Sequence, residues 1–140
     1  MTKAIKVLNR FSILLFSAIF LLVYAYLPIS VDMEIEGVKQ LHKQHFFYYF
    51  FGAFMVLNIA LKVATSYATK NMSEEVSAWS RSIVFILNFY FTTIVGFIGV
   101  LNNSTYINPG DYAYLTYLGP ALLLIWATGL IFLFVKRSKQ

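Results

Sequence analysis

From Ser82 through Asn103 the chain carries no charged residue. The first twenty residues of that run span about 30 Å as an α-helix, one hydrocarbon thickness of a bilayer. On a helical wheel Arg81, Asn88, Thr92, Gly96, Gly99 and Asn103 fall within roughly one quarter of the circumference. Ile83, Ile86, Leu87, Tyr90, Ile94, Phe97 and Leu101 occupy the other side. The pattern predicts a small, amide-bearing face turned toward other helices and a bulky face turned toward lipid.

Three more apolar runs accompany this one. Met1–Arg10 carries Lys3, Lys6 and Arg10, and the run Phe11–Leu27 then ends at Pro28. A basic start, an apolar stretch and the small-residue pattern at Val23-Tyr24-Ala25 also fit a cleavable signal peptide. At about 17 residues the run exceeds the usual ~7–15 of a signal core, which favours an uncleaved first span. Asp32, Glu34 and Glu36 alternate with apolar residues, as in an extended segment. From Val38 onward, Val38, Leu41 and His45 share a helical face, so the second helix is expected to begin there. It enters the membrane at the aromatic cluster Phe46–Phe51, with Tyr48 and Tyr49 placed as an interfacial belt. Ala53, Ala60 and Ala64 are close to one face of it, and Asn58 is its one strongly polar residue at depth.

Asn71-Met72-Ser73-Glu74 reads as a helix start, with Asn71 as cap and Glu74 three residues on. Two amphipathic turns containing Trp79 would then lie at the interface. Asn108-Pro109-Gly110 is a turn signal, and Asp111 is the expected cap of the last helix. In that helix Gly119-Pro120 is a candidate kink, and Tyr114, Tyr117, Ala121 and Thr128 form a small, polar side expected to meet a neighbour. The fold class is therefore all-α: one polytopic domain over residues 1–140, with four transmembrane helices in an antiparallel bundle. The spans fall at about 11–28, 46–65, 82–102 and 112–135.

Composition agrees with the bilayer. Charged residues make up 12% and hydrophobic residues 59% of the chain, against about 25% charged in soluble domains. The net charge of +5 is spread over short flanks rather than gathered in one patch, which argues against nucleic acid. Nine of the 11 basic residues lie in the N-terminal segment, the 62–81 segment and the C-terminal segment. Lys39 and Lys43 stand alone on the other side. This asymmetry places both termini on the cytoplasmic side of a cell membrane. With no cysteine, disulfides and thioether haem attachment are excluded.

Three constellations bear on chemistry. His42 and His45, three apart, are the weak candidates for a metal, with Glu34 or Glu36 as a further ligand; two ligands on an amphipathic turn do not make a site. Asn58 and Asn88 are amides at membrane depth, placed to bond across an interface or to line a pocket with Thr92 and Thr93. Gly96 and Gly99 offer close helix approach, and Tyr117 and Thr128 complete the packing or pocket face. No aspartate, glutamate, lysine, arginine or histidine lies in 11–31, 46–61, 82–110 or 112–135. Ion-coupled transport ordinarily uses such a group. The expected function is a non-enzymatic accessory or structural subunit of a larger membrane complex, with the lipid bilayer and another integral membrane protein as partners and no cofactor. The alternatives are a small carrier or channel for a neutral or lipophilic solute, and an enzyme built on His42, His45 and the outer carboxylates.

Overall fold

The computed structural model describes residues 2–35 and 38–138. Four stretches of it are helices long and apolar enough to cross a membrane: Thr2–Tyr26, Lys43–Ala68, Glu74–Leu101 and Pro109–Ser138. The first two are the helices α1 and α2. The third divides at Ser82 into α3 (Glu74–Arg81) and α4 (Ile83–Leu101). The fourth opens with a 3-10 turn, Pro109–Tyr112, before α5 (Leu115–Ser138). Between α1 and α2 stands an antiparallel hairpin of β1 (Ser30–Ile35) and β2 (Val38–His42).

Several boundaries differ from those the sequence predicts. α1 already begins at Thr2, ahead of the expected span, because nothing in Lys3–Arg10 breaks a helix and basic residues form one readily. The segment from Val38 is a strand, not the amphipathic start of α2. Val31 pairs with Leu41 and Asp32 with Gln40, and β1 buries Val31 and Met33 while Asp32 stays exposed, the two-residue alternation of a strand. α2 then starts at Lys43 with His42 as its cap, the ring Nδ1 accepting from the Gln44 amide at 3.2 Å. Likewise Ser73, not Asn71, precedes α3 as its N-cap. Asp111 lies within the 3-10 turn, four residues before α5 begins, so it does not cap that helix.

α4 sits in the middle. It packs against α1, α2 and α5, and no residue of it is exposed. The expected lipid-facing side is therefore covered: Ile94 packs against the buried core, and the Tyr90 ring lies against Gly119 of α5. α1 runs alongside α3 and α4 in one direction, with an offset of 72 residues beside α3 and 76 beside α4. Thr2 meets Glu74, Asn9 meets Arg81, Ser12 meets Asn88 and Val23 meets Gly99. Thus the main partner of α1 is α4 rather than α2, its successor in sequence. At the hairpin end, the Asn102 side chain closes this register: the Asp32 amide donates to its Oδ1 at 2.7 Å, and its Nδ2 donates to the Asp32 carbonyl at 2.9 Å. The amide takes the place of another strand along the open edge of β1.

The core combines Phe16 and Phe20 of α1, Phe46 and Phe54 of α2, Val95 and Ile98 of α4, and the buried side of β1. Phe16 stacks on Phe54 with centroids 3.7 Å apart, and Phe20 meets Phe47 at 5.3 Å. Aromatic pairs of this kind contribute about 0.5–1.5 kcal/mol beyond the area they cover. They join α1 to α2 only in the half nearest the hairpin. At the same end Lys43 Nζ donates to the Leu27 carbonyl at 2.9 Å and lies 4.8 Å from the centre of the Tyr24 ring.

α5 is held differently. Trp79 Nε1 donates to the Trp126 carbonyl at 2.9 Å, and Trp126 Nε1 donates to the Trp79 carbonyl at 3.0 Å. Gly119 lies under Tyr90 and Gly129 under Trp79, each so closely that a Cβ would run into the ring. The face expected to do this, Tyr114, Tyr117, Ala121 and Thr128, is exposed instead. Gly96 also differs from expectation: a Cβ there would meet nothing within 4 Å, whereas at Gly99 it would come 2.8 Å from Val23 Cγ2. Small residues matter here where a large ring from the facing helix covers them. Gly119→Leu and Gly129→Leu should each lower stability in detergent by about 1–3 kcal/mol, the range for overpacking. Gly96→Leu should leave the thermal midpoint nearly unchanged. Equal losses at positions 96 and 119 would contradict this assignment of faces.

Candidate functional site

The polar groups at depth converge on Asn88, which is fully buried. Its Nδ2 donates to Asn58 Oδ1 at 2.9 Å and to Ser12 Oγ at 3.0 Å. Its Oδ1 accepts from Asn58 Nδ2 at 2.9 Å. The two amides thus form a closed, reciprocal pair between α2 and α4, and Ser12 adds α1. Because each amide both donates to and accepts from the other, their orientation is dictated by the pairing itself.

The seam continues toward the chain termini. Ser12 Oγ donates to the Asn9 carbonyl at 2.7 Å, and Asn9 Nδ2 donates to the Arg81 carbonyl at 3.2 Å. Arg81 in turn donates from Nε and Nη2 to Thr69 Oγ1, at 3.3 and 3.2 Å. Asn58 Nδ2 also donates to the Phe54 carbonyl at 2.9 Å. Asn9 Oδ1 is buried without a hydrogen-bond partner. Ser12 and Asn9 escape a reading of the wheel of α4 alone. Their signal is the α1 series Ile5, Asn9, Ser12, Phe16, Phe20, which keeps helical spacing from the basic start into the apolar run.

Thr92 and Thr93 do not join the pair. Their hydroxyls donate back to the carbonyls of Asn88 and Tyr90, at 2.8 and 2.7 Å, a local satisfaction common for threonine within helices. Gly96 and Gly99 lie further along α4, toward the hairpin. Tyr117 and Thr128 lie on the exposed side of α5, away from the seam, and Thr128 bonds its own helix at the Leu124 carbonyl. Of the predicted site residues, only Asn58 and Asn88 come together with each other.

His42 and His45 straddle the start of α2 rather than sharing a helical turn. Their rings are 5.9 Å apart, His42 is occupied as the cap, and His45 stacks on Tyr49. Glu36 lies outside the described residues. No group of three or more His, Asp or Glu side chains is gathered in a metal-binding arrangement among the described residues.

A lateral cleft of about 630 Å³ adjoins the seam between α1 and α2, with Asn9 and Asn58 on its wall. Its roof is Phe54, where the aromatic contacts between the two helices stop. Chemically, the seam offers amides and hydroxyls, which orient and bind but exchange no proton near neutral pH. Comparison with protein-family models, with curated proteins and with solved structures finds no match.

The pairing of Asn58 with Asn88 makes a thermodynamic prediction. Asn88→Leu should cost more than Asn58→Leu, since it also removes the donor to Ser12 Oγ. The double variant should cost less than the two together, by about 0.6–1.7 kcal/mol, the range for interhelical polar contacts in membranes. Additive losses in detergent unfolding would contradict a direct bond.

Proposed function

We propose that this chain is a non-enzymatic integral membrane protein, a four-helix antiparallel bundle with both termini on the cytoplasmic side, that serves as a structural or accessory subunit of a larger membrane complex. The observation that supports it most is how little of α5 the rest of the chain covers. Gly119 is its one buried residue among those described, while Leu124, Ile125, Ile131, Phe132 and Phe134 are exposed. α2 is similar, burying Phe46 and Phe54 and exposing Tyr48, Tyr49, Met55, Val56 and Ile59. Between helices in a membrane, association comes from close packing and polar contacts rather than from burial alone. Two long aromatic and aliphatic faces without internal partners suit docking on another integral protein. The internal amides, being bonded to one another, are committed to holding the fold.

The orientation follows from the basic residues. A cysteine placed at residue 71 should react with an impermeant maleimide only after the cells are opened, and one at residue 103 before. The reverse labelling would invert it.

A second reading is a carrier for a neutral or lipophilic solute, favoured by the cleft that reaches Asn58. The two part in one experiment. Tagged protein extracted in a mild detergent should elute with a second integral membrane protein in fixed stoichiometry. Elution alone, together with solute flux in reconstituted vesicles that Asn58→Leu abolishes, would replace the subunit by the carrier.

A further inference from the structure

The cleft between α1 and α2 has a chemical polarity of its own. Lys6 and Arg10 of α1, Lys62 of α2 and Arg81 of α3 border one end. No aspartate or glutamate lines it. Arg81 is held by Thr69, whereas the side-chain cations of Lys6, Arg10 and Lys62 form no hydrogen bond or ion pair among the described residues. Away from this end the walls become Ile13, Met55, Ile59 and Val84, with Phe54 closing the far side. With a helical rise of 1.5 Å per residue, Lys62 and Met55 are about 10 Å apart along α2. One cavity thus runs from a cationic mouth to an apolar interior.

The gradient has a cause in the sequence. Rings from both helices fill the space between α1 and α2 from the hairpin as far as Phe16 and Phe54. Beyond Phe54, α2 continues as MVLNIALKVATS before its next aromatic residue, the exposed Tyr67. Nothing remains to bridge the helices there, and Ile13, Met55 and Ile59 are left exposed along the opening. The opening falls where the basic flanks of α1 and α2 meet their apolar spans, which is the depth of lipid phosphates if these helices cross a bilayer.

We infer that this cleft binds one anionic glycerophospholipid, its phosphate among Lys6, Arg10, Lys62 and Arg81 and an acyl chain along Ile13, Ile59 and Met55. Four cations with no acid among them select negative charge. The apolar walls select an amphiphile over a small soluble anion. The volume, about 630 Å³, lies within the ~300–1,000 Å³ usual for specific ligand pockets. The site rests on the membrane reading but not on the presence of a partner protein. A lipid there would fill the gap between α1 and α2 that the aromatic residues leave.

The test is native mass spectrometry of the full chain, purified in a neutral detergent and titrated separately with phosphatidylglycerol and phosphatidylcholine. One phosphatidylglycerol should bind per chain, at least about tenfold more tightly than phosphatidylcholine. Arg10→Gln combined with Lys62→Gln should remove that preference. Lys136→Gln combined with Arg137→Gln deletes the same charge from the same membrane face outside the cleft and should retain it. Ile59→Trp keeps every cation and should still weaken lipid binding, which covers the case in which the charge variant fails to fold. Millimolar inorganic phosphate should not displace the lipid. Equal binding of the two lipids, equal loss from the two charge-deleting variants, or displacement by free phosphate would overturn the assignment. Release of the protein from membranes by alkaline carbonate would remove its premise, and is read independently of whether a partner copurifies.

Discussion

Asn88 is a carboxamide at zero exposure among hydrocarbon side chains, and a group so placed must find its hydrogen bonds within the protein. Leaving it unpaired would cost several kcal/mol in a medium with no water. Its two partners come from different helices, Asn58 of α2 and Ser12 of α1. A single side chain therefore sets the rotation of three helices about their axes. Shifting any one of them by a residue would swing its polar group out of reach. The same dependence extends along α1 through Asn9 to Arg81 and Thr69, and Asn102 closes the far end on the backbone of β1.

Around this seam the packing divides by mechanism. On the α1–α2 side, stacked phenylalanines fill the space toward the hairpin. On the α5 side, large rings from α3 and α4 settle onto glycines, Trp79 over Gly129 and Tyr90 over Gly119. If these helices cross a bilayer, dispersion and shape fit carry such contacts, since lipid chains are as apolar as the side chains they would replace. Where neither ring nor glycine is available, between the basic ends of α1 and α2, the structure opens. The cleft and its cations are thus a consequence of where the aromatic residues stop.

Much of this was legible in the chain itself. The four long apolar helices follow from length and missing charge, and Asn58 and Asn88 stand out as amides in apolar runs. What failed was the assignment of faces. Hydropathy separates water from protein, but it cannot separate lipid from protein, so Tyr117 and Thr128 looked like an interior face when Gly119 and Gly129 hold it. A glycine such as Gly96 is likewise uninformative until one knows which side chain lies opposite. Val38–His42 fits both helical and alternating patterns, and the choice of strand is made by β1, a partner the local sequence does not contain. Ser12 was visible as a hydroxyl but carried no weight until α1 was known to lie beside α4.

α1 and α4 run side by side in the register dictated by Asn88. The distance between an ideal Cβ at residue 99 and the Cβ of Val23 is 3.4 Å, within about 0.1 Å of the range for a disulfide. The native chain has no cysteine, so Val23→Cys with Gly99→Cys reports that contact alone. Mild oxidation in native membranes should close the intramolecular disulfide in most molecules, while Val23→Cys with Gly96→Cys stays reduced. Closure at 96 in preference to 99, or at neither, would contradict the register and with it the account built on Asn88.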